Sequence, residues 1–201
     1  THKEYDKIDV ATVSYNLMQN KPSGLKLNSF SLGITAGFLR DIPLNPARTR
    51  AIAVGFGYSY NNIKNNLYAI EEKGKTYYKV NLEGEYDKNR QVLQYLEVPV
   101  EFRWRNSDAI SHRFWRIYTG VKVSYLISDK AQFEYFGSKI RVKNNKDLND
   151  FLVGAYVSAG WNTWNAYISY TITPLYKSAY LEDGEQIKMN SLNLGLAFYI
   201  L

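Results

Sequence analysis

The feature that most restricts this chain is a period-two alternation of polarity that recurs in segment after segment. Large apolar residues hold one parity, and Gly, Ser, Thr or charged residues hold the other. Successive side chains of a strand point to opposite faces, so the pattern specifies strands with one apolar and one polar face. In the first clear segment Phe30, Leu32, Ile34, Ala36 and Phe38 alternate with Ser31, Gly33, Thr35 and Gly37. The same alternation returns over 52–60, 96–104, 115–125, 151–161, 166–172 and 192–200. A weaker segment, 9–19, sets Ala11, Val13, Tyr15 and Leu17 against Thr12, Ser14 and Asn16. It raises the expected strand count from seven to eight, and single-chain bacterial barrels have even counts.

No apolar run approaches the roughly 20 residues of a membrane-spanning helix, whereas a membrane-spanning strand needs only about 9 to 11. The expected fold is therefore all-β: an eight-stranded antiparallel up-and-down transmembrane β-barrel with a polar lumen. It occupies 8–201 after a flexible tail of 1–7, which carries no signal-peptide pattern and reads as the start of a processed chain. Connections over 20–25, 61–91, 128–150 and 174–188 are expected outside the cell. Those over 41–49, 106–113 and 162–163 are expected in the periplasm, because outer-membrane barrels alternate long external loops with short periplasmic turns.

Alternation alone also fits a soluble barrel with an apolar interior. Two observations favour lipid. Trp104, Trp115, Trp161 and Trp164, the only four Trp, all flank expected periplasmic turns, where indole rings would form an aromatic girdle at the headgroup level. Phe30, Tyr58, Tyr60, Tyr125, Phe151 and Tyr170 would supply the opposite belt. In addition, 8 of the 13 Gly lie on the polar parity, which suits a narrow lumen better than a solvated face. Strand-end aromatics that cap a soluble core are the competing explanation. On the lumen parity Glu97, Glu101, Arg103, Arg116 and Lys122 are expected to pair as an ionic cluster, either as structural filling or as a proton or ion path.

Catalysis is not expected. The two His, His2 in the tail and His112 in a periplasmic turn, lie away from any extracellular nucleophile, and there is no Cys and no metal-ligand spacing. No cofactor and no metal are anticipated. The formal charge of +6 is dispersed among 19 acids, which reads as solvated loops and not as a nucleic-acid surface. Candidate contacts are confined to two loops: Tyr68, Tyr77, Tyr78 and Tyr86 in one, and Phe133, Tyr135, Phe136, Lys139, Arg141 and Lys143 in the other. The aromatics would meet protein or glycan, and the cations lipopolysaccharide phosphates, unless the loops pack on one another.

The segments SLGITAGFLRDIPLN (31–45), AIAVGFGYSY (51–60), YLEVPVEFRWR (95–105), FWRIYTGVKVSYL (114–126) and LGLAFYIL (194–201) resemble the PorT-like outer-membrane β-barrel family of Bacteroidota. That resemblance implies an integral outer-membrane barrel of eight strands without known catalytic residues, in a family whose founding member is tied to type IX protein secretion. The functional expectation is a non-enzymatic accessory subunit of a larger envelope complex, for protein secretion, nutrient uptake or barrel assembly. Its partners would be other envelope proteins together with outer-membrane lipids and lipopolysaccharide. The alternative is a free-standing structural or adhesion barrel whose extracellular loops bind lipopolysaccharide or external ligands.

Overall fold

A computed structural model of the protein describes residues 6–27, 31–82, 88–106, 115–161 and 164–200. Eight strands build the wall: β1 (Asp6–Gln19), β2 (Leu32–Pro43), β3 (Arg50–Lys64), β4 (Lys88–Arg105), β5 (Trp115–Tyr135), β6 (Phe151–Trp161), β7 (Trp164–Thr171) and β8 (Asn190–Ile200). Each is antiparallel to its neighbours in sequence. The ring closes between β1 and β8, from Asp9 opposite Ile200 to Gln19 opposite Asn190. Among the described residues there is no helix.

Several boundaries differ from the sequence expectation. β1 starts at Asp6, so two residues assigned to the tail pair with β2. β2 runs on to Pro43, which puts Asp41 inside a strand and not in a turn. β3 and β4 reach Lys64 and Lys88, and β5 continues to Tyr135, so the two long external connections are shorter than expected. β4 and β5, at 18 and 21 residues, far exceed what hydrocarbon requires, and their ends stand above the membrane. There β5 turns through Phe136–Gly137 into the strand Ser138–Lys143. A second hairpin, Leu67–Glu72 with Lys75–Val80, turns at Lys73–Gly74. All four turn residues have positive φ, the type I′ geometry that matches strand twist.

The outer wall follows the apolar parity. Val13, Ile34, Phe56, Val100, Val121, Val157, Ile168 and Leu196 all point outward and are exposed. Trp115 lies opposite Trp161, and ten residues up the same strands Tyr125 lies opposite Phe151. At ~3.3 Å per residue and a tilt near 40°, those ten steps span about 25 Å, the height of an outer-membrane apolar band.

The inward glycines serve the backbone more than the lumen. Gly37 faces Gly57 across β2 and β3, and a Cβ on Gly37 would stand 2.5 Å from the Phe56 carbonyl oxygen. A Cβ on Gly195 would strike the Val13 carbonyl across the closing β1–β8 pair. Glycine thus lets neighbouring backbones approach closely in a tightly coiled wall.

Candidate functional site

The polar parity converges on the barrel axis, and its contents are stacked by height. Nearest the periplasmic end, Arg103 is fully buried. Its Nε donates to Glu101 Oε1 at 2.7 Å and its Nη1 to Asp41 Oδ1 at 3.0 Å. Arg105 donates to Asp41 Oδ2 at 2.9 Å, and the Tyr156 hydroxyl donates to Glu101 Oε2 at 2.7 Å. The Arg103 guanidinium also lies 4.5 Å from the Tyr118 ring centre and 5.4 Å from that of Tyr199. Every charge in this layer has an opposite charge in contact, as burial requires.

One level higher, Lys122 Nζ stands 3.4 Å from Glu97 Oε1 and donates to the Tyr167 hydroxyl at 3.3 Å. Ser124 also donates to Glu97. The pair lines both of the two lumen cavities, of about 60 and 40 Å³. Each has room for a few waters and no more. Above them hydroxyls and amides take over: Asn193 donates to Ser14, and Asn61 to Ser59.

The extracellular end is closed by an apolar cap. Leu25 comes from the first external connection, Leu67, Ala69 and Tyr78 from the second, Val142 and Leu148 from the third, and Leu175, Tyr176, Ala179 and Ile187 from the fourth. They pack over Met18, Ile63, Leu93, Tyr95 and Leu152 at the strand tops. This is the largest hydrophobic cluster of the described molecule, and it lies outside the lipid band.

Of the five lumen charges named from sequence, the structure brings Glu101 to Arg103 and Glu97 to Lys122. Arg116 joins neither group: its Nε donates to Asn165 Oδ1, whose amide in turn donates to the Ala197 carbonyl. Two members were missed. Asp41 opened an expected turn and Arg105 fell between the last strand residue, Trp104, and the next turn, although continuing the inward parity from Gly37 through Leu39, and from Arg103, reaches both. The tyrosines Tyr118, Tyr156, Tyr167 and Tyr199 share that parity and supply the rings and hydroxyls that receive the charges.

The four tryptophans are all outward and exposed on adjacent strands β4 to β7, with Trp115 and Trp161 ring centres 4.9 Å apart. Of the opposite belt, Tyr58, Tyr125, Phe151 and Tyr170 are outward and exposed and Tyr60 partly so. Phe30 lies outside the described residues, as do His2, His112 and Tyr86.

The loop contacts divide. Tyr78 is 3 % exposed: it belongs to the cap, donates to Asp147 at 2.9 Å and accepts from Asn145 at 2.6 Å. Phe133 is also buried and stacks on Tyr68, which is half-buried. Both residues line an open cleft of about 420 Å³ with Lys79, Asn81, Leu82 and Tyr135. Tyr77, Tyr135 and Phe136 remain exposed, Phe136 at 77 % on the hairpin tip. Lys139, Arg141 and Lys143 share one exposed face of their strand while Ile140 and Val142 face the cap.

A closed barrel with a broad apolar, aromatic-rimmed outer wall and a charged, tightly filled interior is an integral membrane barrel, the architecture of outer-membrane proteins. The family described as outer membrane protein beta-barrel domain matches residues 9–179, and the chain belongs to that family. No curated protein and no solved structure matches the chain. The protein is accordingly an integral protein of the bacterial outer membrane.

Proposed function

We propose that the protein is a non-enzymatic accessory subunit of a larger envelope complex, serving protein secretion, nutrient uptake or barrel assembly. The observation that carries this reading is the sealed lumen: paired charges below, two cavities of a few waters each, and an apolar cap above. Among the described residues no open passage runs along the lumen, and a barrel without one acts through its surfaces. Its exposed tip supports the same reading, because Phe136 sits at φ 42° in the turn and projects into water beside Tyr135, at a ring separation of 4.5 Å. A bulky residue in the left-handed region is unfavourable, and a water-facing aromatic pair suits protein contact. The likeness to PorT-like barrels of Bacteroidota favours a secretion complex, and type IX machinery in particular.

The test is extraction of the tagged protein from native membranes in mild detergent, with cross-linking and mass spectrometry. The expected result is a stoichiometric envelope partner that Phe136→Asp releases while the barrel stays folded. Recovery of wild type and variant alike as monomers would overturn the proposal. Planar bilayers should stay electrically silent, and steady unitary conductance would defeat the sealed-lumen premise.

A further inference from the structure

The positive charge that looks dispersed in sequence is gathered by strand register. Above the membrane β3, β4, β5 and the strand Ser138–Lys143 lie side by side, and residues directly opposite one another share a face. One row reads Lys64, Arg90, Gln132, Arg141. The row nearer the membrane reads Asn62, Val92, Lys130, Lys143, and the row above reads Lys88, Glu134, Lys139. The opposite face of the same sheet carries Gln91, Leu93, Phe133 and Val142, all buried toward the cap. Seven cations thus share one face with a single described carboxylate. That excess of six equals the formal charge of the whole chain.

The arrangement is unfavourable as it stands. Lys130 is directly opposite Lys143, a like-charge pair that destabilises a sheet. Glu134 relieves only the top row, where Lys139 approaches it at 3.8 Å. The Lys130 ammonium is held below its ordinary range by lost hydration and then by Arg141, Arg90, Lys143 and Lys88. Arg90 leaves its Nε buried with no hydrogen-bond partner.

Position identifies what would neutralise these charges. In β4 the residues of this face, Lys88 and Arg90, continue the parity of Leu96 and Val98, which face lipid. The face therefore looks sideways along the membrane plane and not up into the medium. Lys130 lies five residues beyond Tyr125 at the upper aromatic belt, about 12 Å higher along a tilted strand. The headgroup zone fills the first ~5 to 8 Å above hydrocarbon, and a lysine stem bends toward it readily. Strands ~4.8 Å apart set the cations in a flat grid that meets several phosphates at once.

We infer that this face binds the phosphate groups of an outer-leaflet glycolipid, with Lys130, Lys143, Arg141 and Arg90 as the anion contacts. The lipid lies against the β4–β5 wall with its chains on the apolar band and its phosphates under the raised sheet.

Native mass spectrometry of the folded, detergent-solubilised protein tests this with bisphosphorylated lipid A, its dephosphorylated form, and inorganic pyrophosphate as competitor. The expected result is salt-sensitive binding of the bisphosphorylated lipid. It should be about tenfold or more weaker for the dephosphorylated lipid and for the variant Lys130→Gln/Arg141→Gln/Lys143→Gln. The control Lys177→Gln/Lys188→Gln, from the fourth external connection, should bind as wild type, with heat-modifiable gel migration reporting that each barrel is folded. Equal binding of the two lipids, or undiminished binding by the triple variant, would overturn the inference. So would displacement of the lipid by pyrophosphate at equal concentration, which would make the face a site for free anions.

Discussion

Replacing Arg103 by Met asks whether the lumen layer is a dry, mutually dependent ion network. The substitution removes the 2.7 Å contact to Glu101, the 3.0 Å contact to Asp41 and the stacking on Tyr118 and Tyr199. The two carboxylates then differ. Asp41 keeps Arg105 at 2.9 Å, whereas Glu101 keeps only the Tyr156 hydroxyl at 2.7 Å and becomes a buried charge without a counter-charge. Orphaning one member of a buried pair costs about 3 to 5 kcal/mol. Adding Glu101→Gln neutralises that orphan and leaves the Asp41–Arg105 pair intact, so the double variant should recover about 2 kcal/mol relative to the sum of the singles. Urea unfolding of the refolded barrel in lipid–detergent micelles measures each corner of the cycle, with fluorescence of the four rim tryptophans as the signal. Those indoles lie on the outer wall and do not touch Arg103. A cost below about 1 kcal/mol for Arg103→Met, or strict additivity, would refute the reasoning and mean that water solvates the layer.

Gly195→Ala should destabilise by about 1 to 3 kcal/mol and loosen the closing β1–β8 pair, while Gly74→Ala, with open space around its Cβ, should lose only what its φ of 76° imposes. Urea midpoints at equal slope would show it, and matching midpoints would contradict the close-approach argument. Asp129, above the membrane, has its carboxyl raised from the ordinary value because burial opposes the charge, with Asn145's amide acting against that rise and Asp150 adding to it. A folded value above the unfolded one means stability that is complete below about pH 4 and lost as pH rises through the folded value. The cap should therefore tighten on acidification toward pH 4. Protection of the Asn145 amide, which donates to Asp129 at 2.8 Å, should follow that course in wild type and flatten in Asp129→Asn. Identical pH profiles in hydrogen exchange would remove Asp129 as the cause.

What sequence made legible was whatever repeats every second residue. Strand count, closure, outward Val and Leu, and the tryptophan rim all follow from parity. Residues at the ends of strands were harder, because a pattern that stops for lack of apolar residues need not mean a strand that stops. Asp41 and Arg105 continue the inward parity past the segments where it is plain, and Lys88 and Arg90 continue the outward parity above the membrane. The cationic face was invisible for a different reason. Its members are separated in sequence by up to 79 positions, from Lys64 to Lys143, and only cross-strand register sets them opposite one another. Tyr78 and Phe133 were assigned to the surface by loop membership, whereas hairpin parity turns them toward the cap.

The cap is assembled from all four external connections, so it can be complete only when every one has crossed to the cell surface. The membrane segment supplies β-sheet hydrogen bonds, but the water-excluding cluster that holds the strand tops together can close only on the far side. Once closed, it acts as a clasp against backsliding through the bilayer. It also presents external proteases with a small compact knob in place of four loose strings.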